Sequence, residues 1–205
     1  MSSEHFFTKK GPFPLNKIIK ELKLNINVSN YKNIKVNGIK TLVNANRGDI
    51  TFLNSAKYKD FSNKTKATAC ITTKNLFKFL PKNCIKIEVN NVLLAVTLIS
   101  KMFYHRADID YPDFNLKDSV SLKKKYPKVI LGKNVLIGNN VKIGVNTIIG
   151  NNTIIESNVK IGKNCSIGSN VIIKNSLIGN NVRIMDGAII GKKGFGFFPG
   201  KKANI

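Results

Sequence analysis

A repeat of six residues between Ile130 and Gly191 constrains the fold of this chain more than any other feature of its sequence. Large aliphatic residues recur at every sixth position: Leu131, Ile137, Ile143, Ile149, Ile155, Ile161, Ile167 and Ile173. Most are followed directly by glycine, and seven are followed by asparagine three residues later. Helices repeat about every 3.6 residues and strands every two, so this period favours the flat faces of a parallel β-helix.

Each position of the repeat has its own expected role. The aliphatic side chains should point inward and stack on their counterparts in the next turn, each contributing roughly 1.5–3 kcal/mol by burial. Glycine and asparagine are expected at the turns because they tolerate positive φ best, and stacked asparagines can form side-chain ladders. The frame shifts by one residue across Lys174, Asn175 and Ser176 and then resumes. We interpret the repeat as scaffold rather than as a site of chemistry.

The residues before the repeat predict a small α/β domain. A helix is predicted from Pro14 to Leu24, because its aliphatic residues lie on one helical face. A second, more apolar helix is predicted from Val92 to Tyr104, preceded by asparagines that are good N-caps. Short apolar runs broken by asparagine and glycine predict strands at 34–36, 39–43, 50–53, 67–72 and 84–89.

Between this domain and the repeat lies a polar segment that we predict to be an extended linker. It contains Pro112 and Pro127 and a basic run, Lys123–Lys125, which we interpret as solvated. The expected organisation is a domain at 1–106, a linker at 107–128 and a β-helix at 129–205.

The repeat is interrupted in residues 192–200, where three phenylalanines stand between glycines. A coil interior sized for one aliphatic residue per face cannot hold them all, so they either contact a ligand or pack on a neighbouring subunit. The sequence ends at Ile205 without a polar cap over the open coil, which suggests a fragment or a cap supplied from elsewhere.

The formal net charge of +23 on 205 residues favours acidic partners such as phosphates, an acidic carrier protein or an anionic membrane face. A composition rich in lysine, asparagine and isoleucine explains this charge equally well. Nucleic acid is the less favoured partner, because the lysines are scattered rather than grouped with aromatic residues in a recognition module.

Targeting signals and cysteine usage indicate a cytoplasmic location. The N-terminus lacks an apolar signal segment, and the longest apolar run, Val92 to Ile99, is too short to span a membrane. The three cysteines, Cys70, Cys84 and Cys165, are far apart, which argues for a reducing compartment and against disulfides or a zinc site. We therefore expect a soluble cytoplasmic protein.

Two segments resemble one enzyme family when they are combined with the repeat. The first spans residues 39–58 and contains Gly48-Asp49-Ile50-Thr51-Phe52-Leu53-Asn54-Ser55, and the second is Gly194-Phe195-Gly196-Phe197. The repeat is similar to that of the hexapeptide-repeat acyltransferases, and both segments resemble the UDP-3-O-acylglucosamine N-acyltransferases of lipid A biosynthesis. This resemblance implies a small N-terminal α/β domain, a left-handed parallel β-helix built from hexapeptide repeats, and a homotrimer.

In that family, the first segment holds the uridine of a nucleotide sugar. The resemblance implies that Phe52 stacks on the uracil, an interaction of roughly 1–3 kcal/mol by analogy with nucleic-acid proteins. It also implies that Tyr58 hydrogen-bonds near the uridine. Related sequences often place asparagine where Ser55 stands, with Asn54 one place earlier, so both are candidate contacts. Without the family, Phe52 would be interpreted as a strand core residue. The segment Gly194, Phe195, Gly196 and Phe197 is a candidate substrate-binding loop.

The family transfers a 3-hydroxyacyl chain from acyl carrier protein to the 2-amino group of UDP-3-O-acylglucosamine, with a histidine as general base. The resemblance implies no cofactor, no metal, no nucleic acid and at most peripheral membrane contact. Neither histidine of this chain, His5 or His105, matches the catalytic position. The base is expected beyond Ile205, so no catalytic residue is assigned and the 205 residues alone are expected to be inactive.

Two alternatives stay open at this stage. The chain could be another sugar acetyl- or acyltransferase with hexapeptide repeats, although such enzymes typically lack a segment like Phe52–Tyr58. It could also be a trimeric β-helix scaffold without enzymatic activity, because a β-helix needs no site to be stable. A zinc enzyme on this scaffold is disfavoured, since no histidine occurs from Ile130 to Ile205.

Overall fold

The computed structural model describes residues 6–27, 29–105, 107, 109–122 and 124–194. The chain divides into two compact units, with a boundary between Asp108 and Ile109. Residues 8–107 are called the α/β unit below, and residues 109–194 the coil unit. None of the helices in the described ranges is long and apolar enough to cross a membrane.

The α/β unit is built on a parallel sheet with strand order β3-β4-β5-β6. Its strands are β3 (Gly38–Ile39), β4 (Asp49–Leu53), β5 (Ala69–Thr72) and β6 (Ile85–Glu88). A separate antiparallel pair joins β1 (Phe13–Pro14) to β2 (Lys35–Val36). The helices are α1 (Leu15–Glu21), α2 (Lys59–Ser62) and α3 (Val92–Phe103), with 3-10 turns at Ser29–Tyr31, Ala56–Tyr58 and Lys74–Phe79.

Alternation along the strands gives this sheet two apolar faces, because successive side chains point to opposite sides. One cluster packs α1 and α3 against the sheet and includes Ile18, Ile50, Ile71, Ile99 and Phe103. A smaller cluster on the other side contains Leu53, Cys70, Leu76, Leu80 and Cys84. The central strands are therefore buried on both faces, as is usual in parallel sheets.

Both predicted helices are present, and one N-cap was identified correctly. The Asn91 side chain accepts a hydrogen bond from Leu94 N at 3.0 Å, satisfying one free N–H group of α3. Most predicted strands are also present with slightly shorter limits. The exception is the strand predicted at 39–43, which ends at Ile39 because the following residues form a turn.

The coil unit is a left-handed parallel β-helix of two-residue strands, as the hexapeptide repeat predicts. The first face contains β8 (Ile130–Leu131), β11 (Ile148–Ile149), β14 (Ser166–Ile167) and β17 (Arg183–Ile184). The second contains β9 (Leu136–Ile137), β12 (Ile154–Ile155), β15 (Ile172–Ile173) and β18 (Ile189–Ile190). The third contains β10 (Lys142–Ile143), β13 (Lys160–Ile161) and β16 (Leu177–Ile178).

Parallel pairing stacks each aliphatic residue on its equivalent one turn later, so Ile137, Ile155 and Ile173 form a buried column. A second buried row comes from the small or β-branched position: Val135, Val141, Thr147, Thr153, Val159, Cys165 and Val171. These two inward positions per hexad form a single apolar core, in which Cys165 behaves as a small hydrophobic residue.

The asparagines form the turns and the ladders that the sequence predicts. Seven hexad asparagines, from Asn134 to Asn170, have φ between 54° and 66°, in the left-handed region. Asn134 Nδ2 donates to Asn152 Oδ1 at 3.1 Å, and Asn140 Nδ2 donates to Asn158 Oδ1 at 3.3 Å, across 18 residues. Asparagine is favoured here because its short polar side chain tolerates positive φ and bonds to its equivalent.

The role predicted for the hexad glycines was wrong. Among the glycines with positive φ, only Gly187 and Gly191 lie in the coil unit, and neither precedes the asparagine of a regular hexad. The regular hexad glycines are required by space instead. A Cβ at Gly150 would lie 2.6 Å from the backbone of Gly168, and one at Gly138 would lie 2.4 Å from the Ser157 nitrogen. Close approach of successive turns therefore selects glycine at this position.

Part of the segment predicted to be a linker is built into the coil unit. Strand β7 (Lys117–Asp118) pairs antiparallel with β9, and helix α4 (Ser119–Leu122) follows directly. The buried Tyr126 donates its hydroxyl hydrogen to Val141 O at 2.9 Å and packs in the coil core. Residues 117–118 therefore extend the second face, and Leu122 and Tyr126 add apolar side chains to the core of the coil.

Candidate functional site

The family-like segment occupies the carboxyl end of a central strand. Phe52 is the penultimate residue of β4, Asn54 follows the strand, and Tyr58 ends the next 3-10 turn. In open α/β sheets, ligands bind in the crevice outside the carboxyl ends of the strands. The family-like segment therefore lies where sheets of this kind usually bind ligands.

Three of the four predicted uridine contacts line one pocket of about 370 Å³. Its lining residues are Thr41, Leu42, Val43, Phe52, Asn54, Tyr58 and Phe61. Phe52 is half-buried and packs against the larger core cluster, whereas Tyr58 is 49% exposed. The pocket thus combines the Phe52 ring, which packs against the core, with the more exposed Tyr58 ring. This arrangement suits a flat apolar ligand.

Ser55 is the predicted contact that does not line this pocket. Its Oγ accepts a hydrogen bond from Lys57 N at 3.3 Å and caps the 3-10 turn that carries Tyr58. The Asn54 side chain is exposed at the pocket wall and offers an amide that can both donate and accept. In this arrangement, Ser55 orients the turn and Asn54 supplies the polar group.

The sequence did not identify four of the lining residues. Thr41, Leu42 and Val43 belong to the turn after β3 and lie within the family-like segment at 39–58, but none of them was named as a contact. Phe61 is 53% exposed, and its position three residues after Tyr58 was the available signal, because residues three apart share a helical face. Val43 is 68% exposed, so the pocket mouth carries several uncovered apolar side chains.

A larger open cleft of about 850 Å³ lies at the amino ends of the same strands. Lys35, Arg47 and Lys66 are among its lining residues, together with asparagines and threonines. It contains no aromatic residue on which a base could stack. Size alone therefore does not make it the nucleotide site, and the aromatic pocket is the stronger candidate.

The two cysteines of the α/β unit are poorly suited to nucleophilic chemistry. Burial raises the pKa of the Cys84 thiol to about 11, and burial and the neighbouring Cys84 raise the pKa of Cys70 further. Both thiols are therefore protonated near neutral pH, whereas the thiolate is the nucleophile. Within the described residues, no cluster of three or more histidine, cysteine or acidic side chains could hold a metal ion.

The sequence also contains two histidines and the candidate loop at 194–197. His105 is exposed just after α3, and His5 lies outside the described residues. In the predicted substrate-binding loop, Gly194 is exposed, while Phe195, Gly196 and Phe197 lie outside the described residues.

Two family models match the chain. Residues 33–102, which include every residue lining the aromatic pocket, match UDP-3-O-(3-hydroxymyristoyl) glucosamine N-acyltransferase, LpxD. Residues 146–176 match the bacterial transferase hexapeptide of six repeats. These two regions fall in the α/β unit and in the coil unit, respectively.

Several curated proteins named UDP-3-O-acylglucosamine N-acyltransferase are similar to the chain. The protein of Rickettsia prowazekii is 36% identical over 105 residues, covering 51% of this chain and 30% of that protein. The Rickettsia canadensis protein is 37% identical over 105 residues, with coverage of 51% and 31%. That of Ruthia magnifica is 34% identical over 103 residues, with coverage of 50% and 30%.

The matched region thus spans less than a third of the length of these relatives. Within that region, the resemblance inferred from the sequence is confirmed. Over half of its length the chain is similar to UDP-3-O-acylglucosamine N-acyltransferases, and residues 146–176 match the bacterial transferase hexapeptide repeat.

Proposed function

We propose that the chain contributes the nucleotide-binding and coil parts of an N-acyltransferase that acylates the 2-amino group of a UDP-3-O-acylglucosamine. One observation carries the proposal: Phe52, Asn54 and Tyr58 converge on one pocket within the region that matches this family.

In this proposal, the uracil enters the aromatic pocket and stacks on Phe52, whose ring is held by the core behind it. Stacking on a ring that is already fixed costs little ordering entropy, so most of the roughly 1–3 kcal/mol remains as binding free energy. Asn54 supplies the polar contact, and Tyr58 closes the pocket from its exposed turn. Ser55 acts indirectly by capping that turn.

The proposed acyl donor is an acyl carrier protein carrying a 3-hydroxyacyl chain. The net charge of +23 supports an acidic partner, because charge complementarity accelerates encounter. No residue of this chain is assigned as the general base. His105 is exposed beside the end of α3 and lies outside the aromatic pocket.

A homotrimer is part of the proposal and is supported by the outward side of the coil. Outward strand positions on the first two faces are mainly aliphatic, and Ile130 is 65%, Ile148 48% and Ile189 50% exposed. The third face instead presents Lys142 and Lys160 at this position. The second face is aliphatic at all its outward strand positions, and the first is aliphatic at two of four, with Ser166 and Arg183 at the others. Such apolar outward positions suit a coil that packs these sides against other copies.

The nucleotide part is tested by calorimetric titration of the chain with UDP. Phe52→Ala should weaken binding by about 5- to 100-fold, the range set by loss of one stacking contact. Tyr58→Ala provides a second variant with little risk to folding, since this side chain is half exposed. Phe79→Ala is the matched control, because Phe79 packs against the smaller core cluster and does not line the pocket. Unchanged UDP affinity in both pocket variants would refute the assignment.

The reaction is tested by an acyl-transfer assay on the complete protein, with hydroxyacyl carrier protein as donor and UDP-3-O-acylglucosamine as acceptor. Formation of the diacylated sugar supports the proposal. Transfer from acetyl-CoA instead would indicate another hexapeptide-repeat transferase. No product with either donor would favour a trimeric scaffold.

A further inference from the structure

One corner of the coil departs from the repeat in two ways. It lies between the second and third faces, where the equivalent residues of successive turns are Gly138, Glu156, Lys174 and Gly191. Two of these positions carry charged side chains where the repeat otherwise has glycine. The same corner is also one residue short. Strand residues paired on the third face are 18 positions apart at Lys142 and Lys160, but only 17 apart at Lys160 and Leu177.

The missing residue can be identified from the backbone. Asn158 has φ of 66° and Asn175 has φ of 47°, so these two residues form the same left-handed turn in successive coils. Glu156 and Lys174 are likewise equivalent, which leaves no counterpart for Ser157 in the short turn. The deleted residue is therefore the one that would be equivalent to Ser157 in the next turn of the coil.

In other turns of the coil, the residue equivalent to the deleted one makes a regular hydrogen bond. Its side chain accepts a hydrogen bond from the backbone N–H of the equivalent residue one turn earlier. Lys133 N donates to Asn151 Oδ1 at 2.7 Å, and Ser169 N donates to Asp186 Oδ1 at 2.6 Å. Deletion of the residue equivalent to Ser157 in the next turn removes the acceptor for the Ser157 N–H group. A buried N–H group without an acceptor costs free energy.

Asp113, from the segment that precedes β7, takes the place of the missing acceptor. Its Oδ2 accepts from Ser157 N at 3.0 Å and from Ser157 Oγ at 2.5 Å. The hydrogen bonds from Ser157 and Asn115 outweigh the effect of burial and lower the pKa of this carboxyl, so it is ionised near neutral pH. A carboxylate supplied from a different part of the chain thus completes the corner.

A second contact joins the same segment to the next turn of the corner. Lys174 Nζ lies 2.6 Å from Asp110 Oδ1 and 3.1 Å from Glu156 Oε1. The Lys174 side chain is 9% exposed, and breaking a buried ion pair by removal of one partner is strongly destabilising. Each charge that replaces glycine in this corner is therefore paired, and one of the pairs involves residues 109–116.

We propose that residues 109–116 are a positioning strap that completes the shortened corner of the coil, with Asp113 in place of the deleted residue and Asp110 bound to Lys174. The strap fixes the corner from which the chain continues at Gly191, whose added Cβ would overlap the Lys174 carbonyl oxygen. The hydrogen bond from Lys174 lowers the pKa of the Asp110 carboxyl, and the charges of Lys192 and Lys193 act in the same direction. Asp113 is accordingly a positioning residue that acts on the segment beginning at Gly191 through the strap, since it holds residues 109–116 against Ser157 while Asp110 binds Lys174.

The strap is tested by amide hydrogen exchange on the purified chain, comparing Asp113→Ala with Asp186→Ala. Both substitutions remove one carboxylate that accepts from a corner N–H, but only Asp113 belongs to the strap. We expect Asp113→Ala to accelerate exchange about 10- to 100-fold at Ser157 and across 109–116 and 191–194. Asp186→Ala should accelerate exchange only around Ser169. If the effect of Asp113→Ala is equally local, the proposal is wrong.

A one-residue insertion separates the positioning role from a general loss of stability. Inserting serine between Lys174 and Asn175 restores an 18-residue turn and supplies the missing acceptor within the coil. Combined with Asp113→Ala, it should restore protection at Ser157 while residues 109–116 stay fast-exchanging. Protection that returns to neither region would overturn the assignment of the deleted position. Should Asp113→Ala not fold, Asp113→Asn retains an acceptor oxygen and is expected to recover most of the protection.

Discussion

The α/β unit and the coil unit differ in how regularly their contacting side chains are spaced along the sequence. In the coil unit, each residue contacts its equivalent about 18 residues away, so its hexad position defines its environment. In the α/β unit, the aromatic pocket joins the turn after β3 to the end of β4 and to α2. The first environment is periodic, and the second depends on one particular tertiary arrangement.

This difference separates stability from binding. Inward coil positions are apolar and buried, so their substitution should change the free energy of unfolding and little else. Pocket positions such as Tyr58 and Phe61 are half exposed, and their substitution should change ligand affinity with little effect on stability. The four substitutions below test this contrast, from the largest expected change in the free energy of unfolding to the smallest.

The largest effect is expected for Ile155→Ala, which removes a fully buried side chain from the coil core. We expect a loss of about 2–5 kcal/mol, from lost burial and the cavity left behind. Lys142→Ala is the control, since Lys142 occupies an exposed outward position on the third face of the coil. Urea unfolding monitored by circular dichroism measures both. Equal losses would contradict the inward and outward assignment of the hexad.

Gly150→Ala should destabilise the coil by about 1–3 kcal/mol through overpacking. The added Cβ would lie 2.6 Å from the backbone of Gly168, and the two turns would have to separate. Gly179→Ala is the control, because no described atom lies within 4 Å of a Cβ at that position. Since neither glycine has positive φ, a similar cost for both variants in thermal unfolding would show that space is not the reason for glycine.

Asn152→Ala should cost about 1–2 kcal/mol, because alanine is disfavoured at the φ of 55° that this turn requires. Asn152→Gly relieves the backbone penalty and loses only the ladder contact with Asn134. We expect the glycine variant to recover at least half of the lost stability in the same unfolding assay. If glycine and alanine destabilise equally, the ladder rather than the turn explains the asparagines.

The smallest effect on stability is expected for Phe61→Ala in the α/β unit, within about 0.5 kcal/mol, because this ring is 53% exposed. If the pocket holds uridine, the same variant should weaken UDP binding measurably by calorimetry. Phe114→Ala is the control, an exposed ring of the coil unit at 88%. A large loss of stability in Phe61→Ala would place this residue in the core rather than at a binding surface.

Sequence reasoning identified three of the seven residues that line the aromatic pocket, because Phe52, Asn54 and Tyr58 belong to the segment at 39–58 that resembles one enzyme family. It did not find Val43, since the aliphatic residues after β3 satisfied a strand pattern that the turn overrides. It also grouped Ser55 with the contacts, although its hydroxyl caps a turn. Spacing along the chain does not reveal which of two adjacent polar residues faces a pocket.

The strap shows the same limit within the periodic region. The frame shift at Lys174 to Ser176 is visible in the sequence, and so are the charges that replace glycine at Glu156 and Lys174. Asp113, which replaces the acceptor lost with the deleted residue, is 44 residues away from Ser157 in the chain. No local pattern connects these two residues, so only the folded structure reveals the contact.

The sequence by itself determined the coil, because in a strict repeat the position of a residue within its hexad predicts whether its side chain points inward, points outward or lies at a turn. It also determined the position of the family-like segment on β4, through residue identity. The tertiary structure decided why glycine is required, which residues form the pocket wall, and how the irregular corner is completed. Those features depend on close approach between distant backbone segments, a property that residue spacing along one chain does not encode.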